Sequence, residues 1–373
     1  MAMTNLKDTA QKLLSFGDIT INGDKPWDIK VNNEDLYKRV LSQGSLGLGE
    51  SYMDGWWEVE KMDEMVSRIL SAKIDQKVKR DFSLILELVL AKLFNRQSKS
   101  RAYEVGKRHY DAGNDLFKTM LDKTMTYTCG YWKNAQNLDE AQEQKLDLIC
   151  RKLKLKPGMK ILDIGCGWGS LLKYAAEHYG TKGVGITISK EQVALAKENC
   201  AGLDIEIRLQ DYRDIKEKFD AVASLGMIEH VGYKNYRQYM QIAASCLNDG
   251  GLFLLHTIGG KKSVRNTDIW MNKYIFPNGM LPSIKQLGGS IENIFIMEDL
   301  HNFGPDYDKT LMAWYNNFNA GWPALKEKYG DRFYRMWKYY LLTCAASFRV
   351  RNIQLWQIVL SKGGVPGGYE SIR

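Results

Sequence analysis

No stretch of this sequence has the roughly 20 consecutive apolar residues that a bilayer-spanning helix requires. Its most apolar run, Phe82–Phe94, is shorter and carries Glu87 and Lys92, which excludes a membrane span there. The 6 cysteines (Cys129, Cys150, Cys166, Cys200, Cys246 and Cys344) contain no CxxC pair and no zinc-type histidine spacing. Neither a disulfide framework nor a metal is therefore expected, and a reducing compartment fits. The first residues lack a basic end followed by an apolar core and a small-residue cleavage site, Asn5–Ser15 being mixed and amphipathic. The expectation is a cytoplasmic protein. There is no internal repeat and no low-complexity tract. No basic stripe interleaved with aromatics is present, which disfavours nucleic acid as a partner.

What is present is a chain of 373 residues, 45% hydrophobic and 26% charged, enough for about two ordinary domain cores. The formal charge of +8 is uneven: Ser71–Arg101 holds eight Lys and Arg against Asp75, Asp81 and Glu87, eight minus three leaving an excess of five. Cations flanking an apolar helix suit an anionic lipid surface, although the solvated face of a core helix accounts for the same charges.

Hydrophobic periodicity divides the chain near residue 100. Residues 1–100 read as a small helix-rich domain, broken at Gly44–Gly49 ahead of Trp56 and Trp57, and Asn95–Arg101 reads as a linker. Within residues 101–373, helical spacing over Asp139–Leu155 ends at Lys156–Gly158. Short apolar runs then recur at Lys160–Ile164, Gly183–Ile188, Ile205–Leu209, Ala221–Leu225 and Leu252–Thr257, separated by helical segments such as Leu171–His178 and Glu191–Asn199. That alternation predicts an α/β fold, a doubly wound and mostly parallel sheet. Asn293–Leu300 and Asn352–Lys362 read as an edge hairpin joined by a long helical excursion.

Lys160–Gly169 sets a strand ahead of Gly165, Gly167 and Gly169, with a helix beginning near Ser170. Small residues there let the backbone approach a nucleotide-like ligand closely, although a tight strand-to-helix turn needs no ligand. Asp163 sharpens the reading. Asp163–Gly169 lacks the third-glycine spacing of the dinucleotide fingerprint and is followed by no phosphate-gripping Lys-Ser/Thr, which disfavours NAD and ATP. It resembles motif I of S-adenosylmethionine methyltransferases, in which Asp163, Gly165, Cys166, Gly167, Trp168 and Gly169 would hold the cofactor. Most such enzymes end the second strand with a carboxylate for the ribose hydroxyls; here that position is Thr187, with Ser189 and Gln192 as neutral hydrogen-bonding partners. After the third strand, Gln210, Asp211 and Tyr212 stand where an adenine contact is expected, Asp211 toward the exocyclic amine and Tyr212 over the ring. A partly buried loop tyrosine is the plainer reading of Tyr212.

Seven ordered segments, His109–Phe117, Tyr127–Trp132, Asp163–Gly169, Glu229–Gly232, His256–Ile258, Tyr274–Gly279 and His301–Tyr307, resemble the cyclopropane fatty acid synthase family over nearly the whole chain. The resemblance implies a methyltransferase fold with a helical lid, a lipid-contacting first domain and catalysis in residues 101–373. It adds Tyr127 and Thr128 to the cofactor site. It also implies a bicarbonate ion as active-site base, cradled by Cys129 (backbone and side chain), Glu229, His256, the Ile258 backbone and Tyr307. Cofactor and partners follow from it too: S-adenosylmethionine, unsaturated phospholipid at the inner face of the membrane, and a second copy in a homodimer. Shorter mycolic acid relatives lack the first domain, so its presence points to membrane phospholipid.

An alkene attacks a sulfonium methyl weakly, so the reaction needs in-line holding, exclusion of water and then a base to remove one proton for ring closure. Taken singly, His256 and Glu229 have structural explanations, and so do Tyr307 and Cys129. Cys344 matches a position often assigned to an active-site cysteine, but its apolar helical surroundings without an adjacent His or Lys favour a structural thiol. Trp270, Tyr274, Phe276, Phe303, Trp314, Tyr315 and Phe318 suit either an acyl tunnel or core packing. Two rivals stand beside this reading: methyl transfer to an amine or another lipid, and a non-catalytic lipid-binding protein on the same scaffold.

Overall fold

The computed structural model describes residues 2–74 and 113–373. Phe82–Phe94, Asn95–Arg101, most of the basic segment and the first four residues of His109–Phe117 lie outside them. Two compact units are present. One, the helical unit, comprises Met1–Gly113, Thr267–Pro277 and Trp314–Asn352; the other, the sheet unit, comprises Asn114–Asn266, Asn278–Ala313 and Ile353–Arg373. Helix Pro305–Arg349 starts in the sheet unit and runs on through the helical unit, with a break at Gly330, whose φ is 76°.

In the helical unit, helices Ala2–Ser15, Asp35–Gln43, Ser45–Met53 and Met62–Ser71 pack with Ile269–Tyr274 and the helical residues after Trp314. Gly49 is required because a Cβ there would meet the Trp270 ring at 2.4 Å. Trp270, Trp314 and Phe318 are buried, and Trp270 stands edge-on to Tyr339 at 4.7 Å. Glu50 ties this core together, accepting from Arg39, Lys273 and Tyr274 at 2.7, 2.6 and 2.8 Å. Among the described residues, no helix is long and apolar enough to cross a membrane.

The sheet unit holds seven strands: β1 Lys160–Ile164, β2 Lys182–Thr187, β3 Ile205–Leu209, β4 Phe219–Leu225, β5 Leu247–Gly260, β6 Ile296–Asn302 and β7 Ile353–Ser361. In space they run β3-β2-β1-β4-β5-β7-β6, with β1 to β5 parallel and β7 antiparallel to both β5 and β6. The expected doubly wound sheet and edge hairpin are thus observed. β1 is buried at four of its five positions, Ile161–Ile164, because helices cover both faces of a parallel sheet. Gly183 and Gly185 let helix Ser170–Tyr179 lie close on β2: a Cβ at Gly185 would meet Leu172, Cys166 and Ile207 within 2.9 Å. β5 outruns its apolar core, Leu252–Thr257, because β7 pairs with it from Leu252 to Gly260. β6 begins later than the apolar pattern suggests, at Ile296, where its ladder to Ser361 of β7 starts.

Candidate active site

Asp163, next to last in β1, is buried, and beyond Ile164 the chain turns through Gly165, Gly167 and Gly169 at φ of 86°, 54° and 85°. L-residues rarely adopt these angles. The turn is anchored on β2, the Gly165 and Cys166 amides both donating to Ile186 O at 3.0 Å. Trp168 donates from Nε1 to Asn114 at 3.0 Å and stands 5.1 Å from the Phe117 ring, which in turn meets Tyr127 at 5.1 Å. Asp163 Oδ1 has no hydrogen-bond partner among the described residues. Burial raises its carboxyl to about 7, against the opposing pull of Lys145. An open glycine turn with an orphaned buried carboxyl fits the amino-acid end of S-adenosylmethionine.

Lys145 is the residue that motif reading misses. Its ammonium is completely buried, donates to Thr128 Oγ1 at 2.8 Å, and is depressed to about 8 by burial in spite of Asp122, Cys129 and Asp163 nearby. One turn earlier, Gln142 donates to Thr128 O at 2.8 Å and to Thr126 O at 3.3 Å. Both project from the buried face of helix Leu138–Lys152, where they share a stripe with Leu146 and Ile149. A lysine in an apolar stripe was the available signal.

The ribose and adenine candidates are partly committed to one another. Thr187 Oγ1 donates to Gln192 Oε1 at 2.7 Å, and Ser189 caps helix Lys190–Asn199 by accepting from the Gln192 amide. The Gln210 amide donates to Thr187 O at 3.0 Å. Asp211 accepts from the Arg213 amide and guanidinium, which hold its carboxyl below the usual range. Tyr212 is buried, edge-on to Tyr239 at 5.1 Å.

Glu229 lies in a single 3₁₀ turn beyond β4, and its Oε1 accepts the Ile258 amide at 2.8 Å. Its Oε2 has no partner among the described residues. Burial raises the carboxyl to about 7, opposed by the Ile258 amide, by its own amide and by the Thr257 hydroxyl. His256, two residues earlier on β5, is buried and held neutral by desolvation. Its Nδ1 faces Gln357 Nε2 at 3.3 Å, while its Nε2 is unpartnered among the described residues. Donation by the Gln357 amide makes Nδ1 the acceptor, so Nε2 carries the proton. An unpaired acceptor and an unpaired donor, both buried, fit a small protonated oxyanion such as bicarbonate. Gln357 was also absent from the sequence reading, since an isolated glutamine on a strand has no signature.

Cys129 is fully buried, its thiol pushed well up by burial and directed to Gly130 O at 3.1 Å. Next to it, Thr310 Oγ1 accepts from the Gly130 amide at 3.1 Å and Trp132 Nε1 at 2.9 Å, while Asp306 accepts the Trp132 amide at 2.8 Å. These bonds dock the helical turn that bears buried Tyr307 onto Tyr127–Trp132. Phe303 links the two halves, with ring centroids 5.9 Å from His256 and 5.3 Å from Tyr131. Cys344 belongs to the helical unit, its thiol raised to about 12 by burial and Asp268.

A family model described as mycolic acid cyclopropane synthetase matches residues 97–358. The chain belongs to that family. It is 56% identical over 354 residues to the cyclopropane-fatty-acyl-phospholipid synthase of Escherichia coli K12, covering 95% of this chain and 93% of that one. Among solved family members, mycolic acid cyclopropane synthase CmaA1 complexed with SAH and CTAB has a TM-score of 0.64 at 32% identity, over 68% of this chain and 96% of that one. Coclaurine N-methyltransferase bound to N-methylheliamine and SAH has a TM-score of 0.67 at 20% identity, over 84% and 99%; it shares the fold. The chain is a cyclopropane synthase-type member of the S-adenosylmethionine-dependent methyltransferases.

Proposed function

We propose that this enzyme transfers a methylene carbon from S-adenosylmethionine to the cis double bond of an unsaturated phospholipid acyl chain, forming a cyclopropane ring. The reaction adds CH₂ in two changes: a methyl group joins one alkene carbon, leaving its neighbour cationic, and loss of a proton from that methyl closes the ring. When bound, S-adenosylmethionine supplies the electrophilic methyl and bicarbonate supplies the base. The residues do the rest. Asp163, Gly165–Gly169, Tyr127 and Thr128 hold the amino-acid end of the donor, and Thr187, Ser189, Gln192 and Gln210–Tyr212 border its nucleoside. His256 Nε2–H donates to the anion and Glu229 accepts from it, with Ile258 amide already engaged by Glu229. Cys129 and Tyr307 close the cradle, and Phe303 covers it from water.

The observation that carries this reading is the pair of unsatisfied buried atoms, Glu229 Oε2 and His256 Nε2, at the same strand edge as the glycine turn, where open α/β sheets bind ligands. β4, which leads into Glu229, lies between β1 and β5, so the glycine turn, Glu229 and His256 follow neighbouring strands along one edge of the sheet. The synthase relative matched over nearly its whole length supports phospholipid as substrate. We further propose that residues 101–373 carry the chemistry, that the N-terminal region contacts lipid, and that the protein works as a homodimer peripheral to the inner membrane face. Mass spectrometry after incubation with cofactor and monounsaturated phospholipid vesicles tests the activity: each product acyl chain gains one CH₂. Unchanged lipid mass under conditions where cofactor binds rejects it.

A further inference from the structure

The loop that leaves β5 carries surface that the chemistry above does not use. Lys261, Lys262, Val264 and Arg265 are exposed, and so are Ile284 and Lys285 at the start of helix Ile284–Ile291. The two segments form one ordered surface. The Ser263 and Ser283 hydroxyls are 2.7 Å apart, Gln286 Nε2 donates to Val264 O at 3.2 Å, and the Gly260 amide donates to Pro282 O at 2.8 Å. Val264 and Ile284 are 39% and 46% exposed. Lys261–Asn266 and Ile284–Gln286 contain four cations and no carboxylate. None of the four has an ion-pair partner among the described residues.

We propose that this surface docks the sheet unit onto an anionic phospholipid bilayer. The inference rests on the reading of the substrate as a phospholipid acyl chain and adds where the catalytic unit meets the membrane. Two isolated aliphatics mean little, but aliphatics set among unpaired cations form the mixed pattern of interfacial surfaces, with headgroups attracted and apolar tips entering the acyl boundary. Position strengthens the case. β5 ends at Gly260, two residues past Ile258, so the loop rises from the strand edge that bears the site. A double bond in mid-chain lies within the hydrocarbon and must be drawn out to that edge, which requires the edge to face the bilayer. The hydrogen bonds holding loop to helix mean that little ordering entropy is lost on docking.

The test uses the full chain and vesicles of monounsaturated phosphatidylglycerol or phosphatidylcholine. The quadruple variant Lys261→Glu, Lys262→Glu, Arg265→Glu, Lys285→Glu is expected to bind phosphatidylglycerol vesicles at least about tenfold more weakly. The double variant Val264→Ser, Ile284→Ser is expected to lose about threefold. Both should bind S-adenosylhomocysteine like the parent, and both should turn over lipid dispersed in a nonionic detergent at the parent rate while slowing on vesicles. Parent-like vesicle binding by the quadruple variant overturns the proposal and moves the contact elsewhere on the chain. Failure of the parent enzyme itself to modify lipid in vesicles and in detergent alike would instead reject the assigned activity, leaving vesicle binding to judge the surface.

Discussion

Gln357 and His256 are direct partners across the β5–β7 ladder, with the amide nitrogen 3.3 Å from imidazole Nδ1 and both side chains buried. Gln357 thus sets which imidazole nitrogen carries the proton without reaching the unpartnered Nε2 side of the ring. Gln357→Glu places an acceptor against Nδ1, which draws the proton to that nitrogen and raises the imidazole pKa. The expected result is a fall in kcat of about tenfold to hundredfold, part of the 10²–10⁴ typical of general-base assistance. Nitrogen NMR should report the switched tautomer, and the acidic limb of the pH profile should move upward. Parent-like kcat and an unchanged tautomer would remove Gln357 from the mechanism.

Lys145 predicts a separation of binding from stability. Its hydrogen bond to Thr128 is of the charged kind, which contributes about 1.5–3 kcal/mol. Lys145→Met should weaken S-adenosylhomocysteine binding by about tenfold to hundredfold in calorimetry. The melting temperature should change little near neutral pH, because the cation's desolvation penalty goes with it and the buried Asp163 carboxyl, freed of that pull, takes up a proton. An unaltered Kd would mean that Thr128 keeps its place without the lysine.

Asp163 and Glu229 make stability depend on pH in an unusual direction. Burial raises both carboxyls to about 7, so the folded protein retains protons that the unfolded chain releases near the ordinary carboxylate range. Their contribution is complete below that range and is lost as pH climbs toward 7, by up to about 1.4 kcal/mol per pH unit for each group. The Tm of the parent relative to Asp163→Asn should therefore decline between pH 5 and pH 7 and level off above. A gap independent of pH would show that Asp163 is ionised throughout. His256, held neutral, acts oppositely, lowering stability below its ordinary pKa in both proteins, so it cancels in the comparison.

Cys344 should tolerate replacement. A thiol raised to about 12 offers almost no thiolate at neutral pH, and thiolate is the nucleophilic form. Cys344→Ser is expected to keep turnover within about threefold of the parent. Abolished turnover in a variant with normal melting and cofactor binding would restore a chemical role.

Local pattern carried the sheet. Apolar runs marked five parallel strands and two edge strands because burial on both faces of a sheet leaves little choice of residue, and the glycines after Asp163 declare a turn that other residues enter only with strain. Glu229, His256 and Cys129 were legible through ordered motifs, not through any spacing of their own. Thr128 was legible through the family resemblance, whereas its partner Lys145 belonged to no motif and was signalled only by a charge in an apolar stripe.

By itself, then, the sequence determined the parallel sheet and the glycine turn, which follow from short-range periodicity and backbone conformation, and its ordered motifs marked the set of chemically capable residues by resemblance. Tertiary structure alone decided which atoms of that set are left unsatisfied. Glu229 gives one oxygen to the Ile258 amide and keeps the other free among the described residues, and His256 gives one nitrogen to Gln357. Those pairings join residues 29 and 101 positions apart. Only the folded sheet brings such distant groups within hydrogen-bonding reach, where burial then makes every unmade bond consequential.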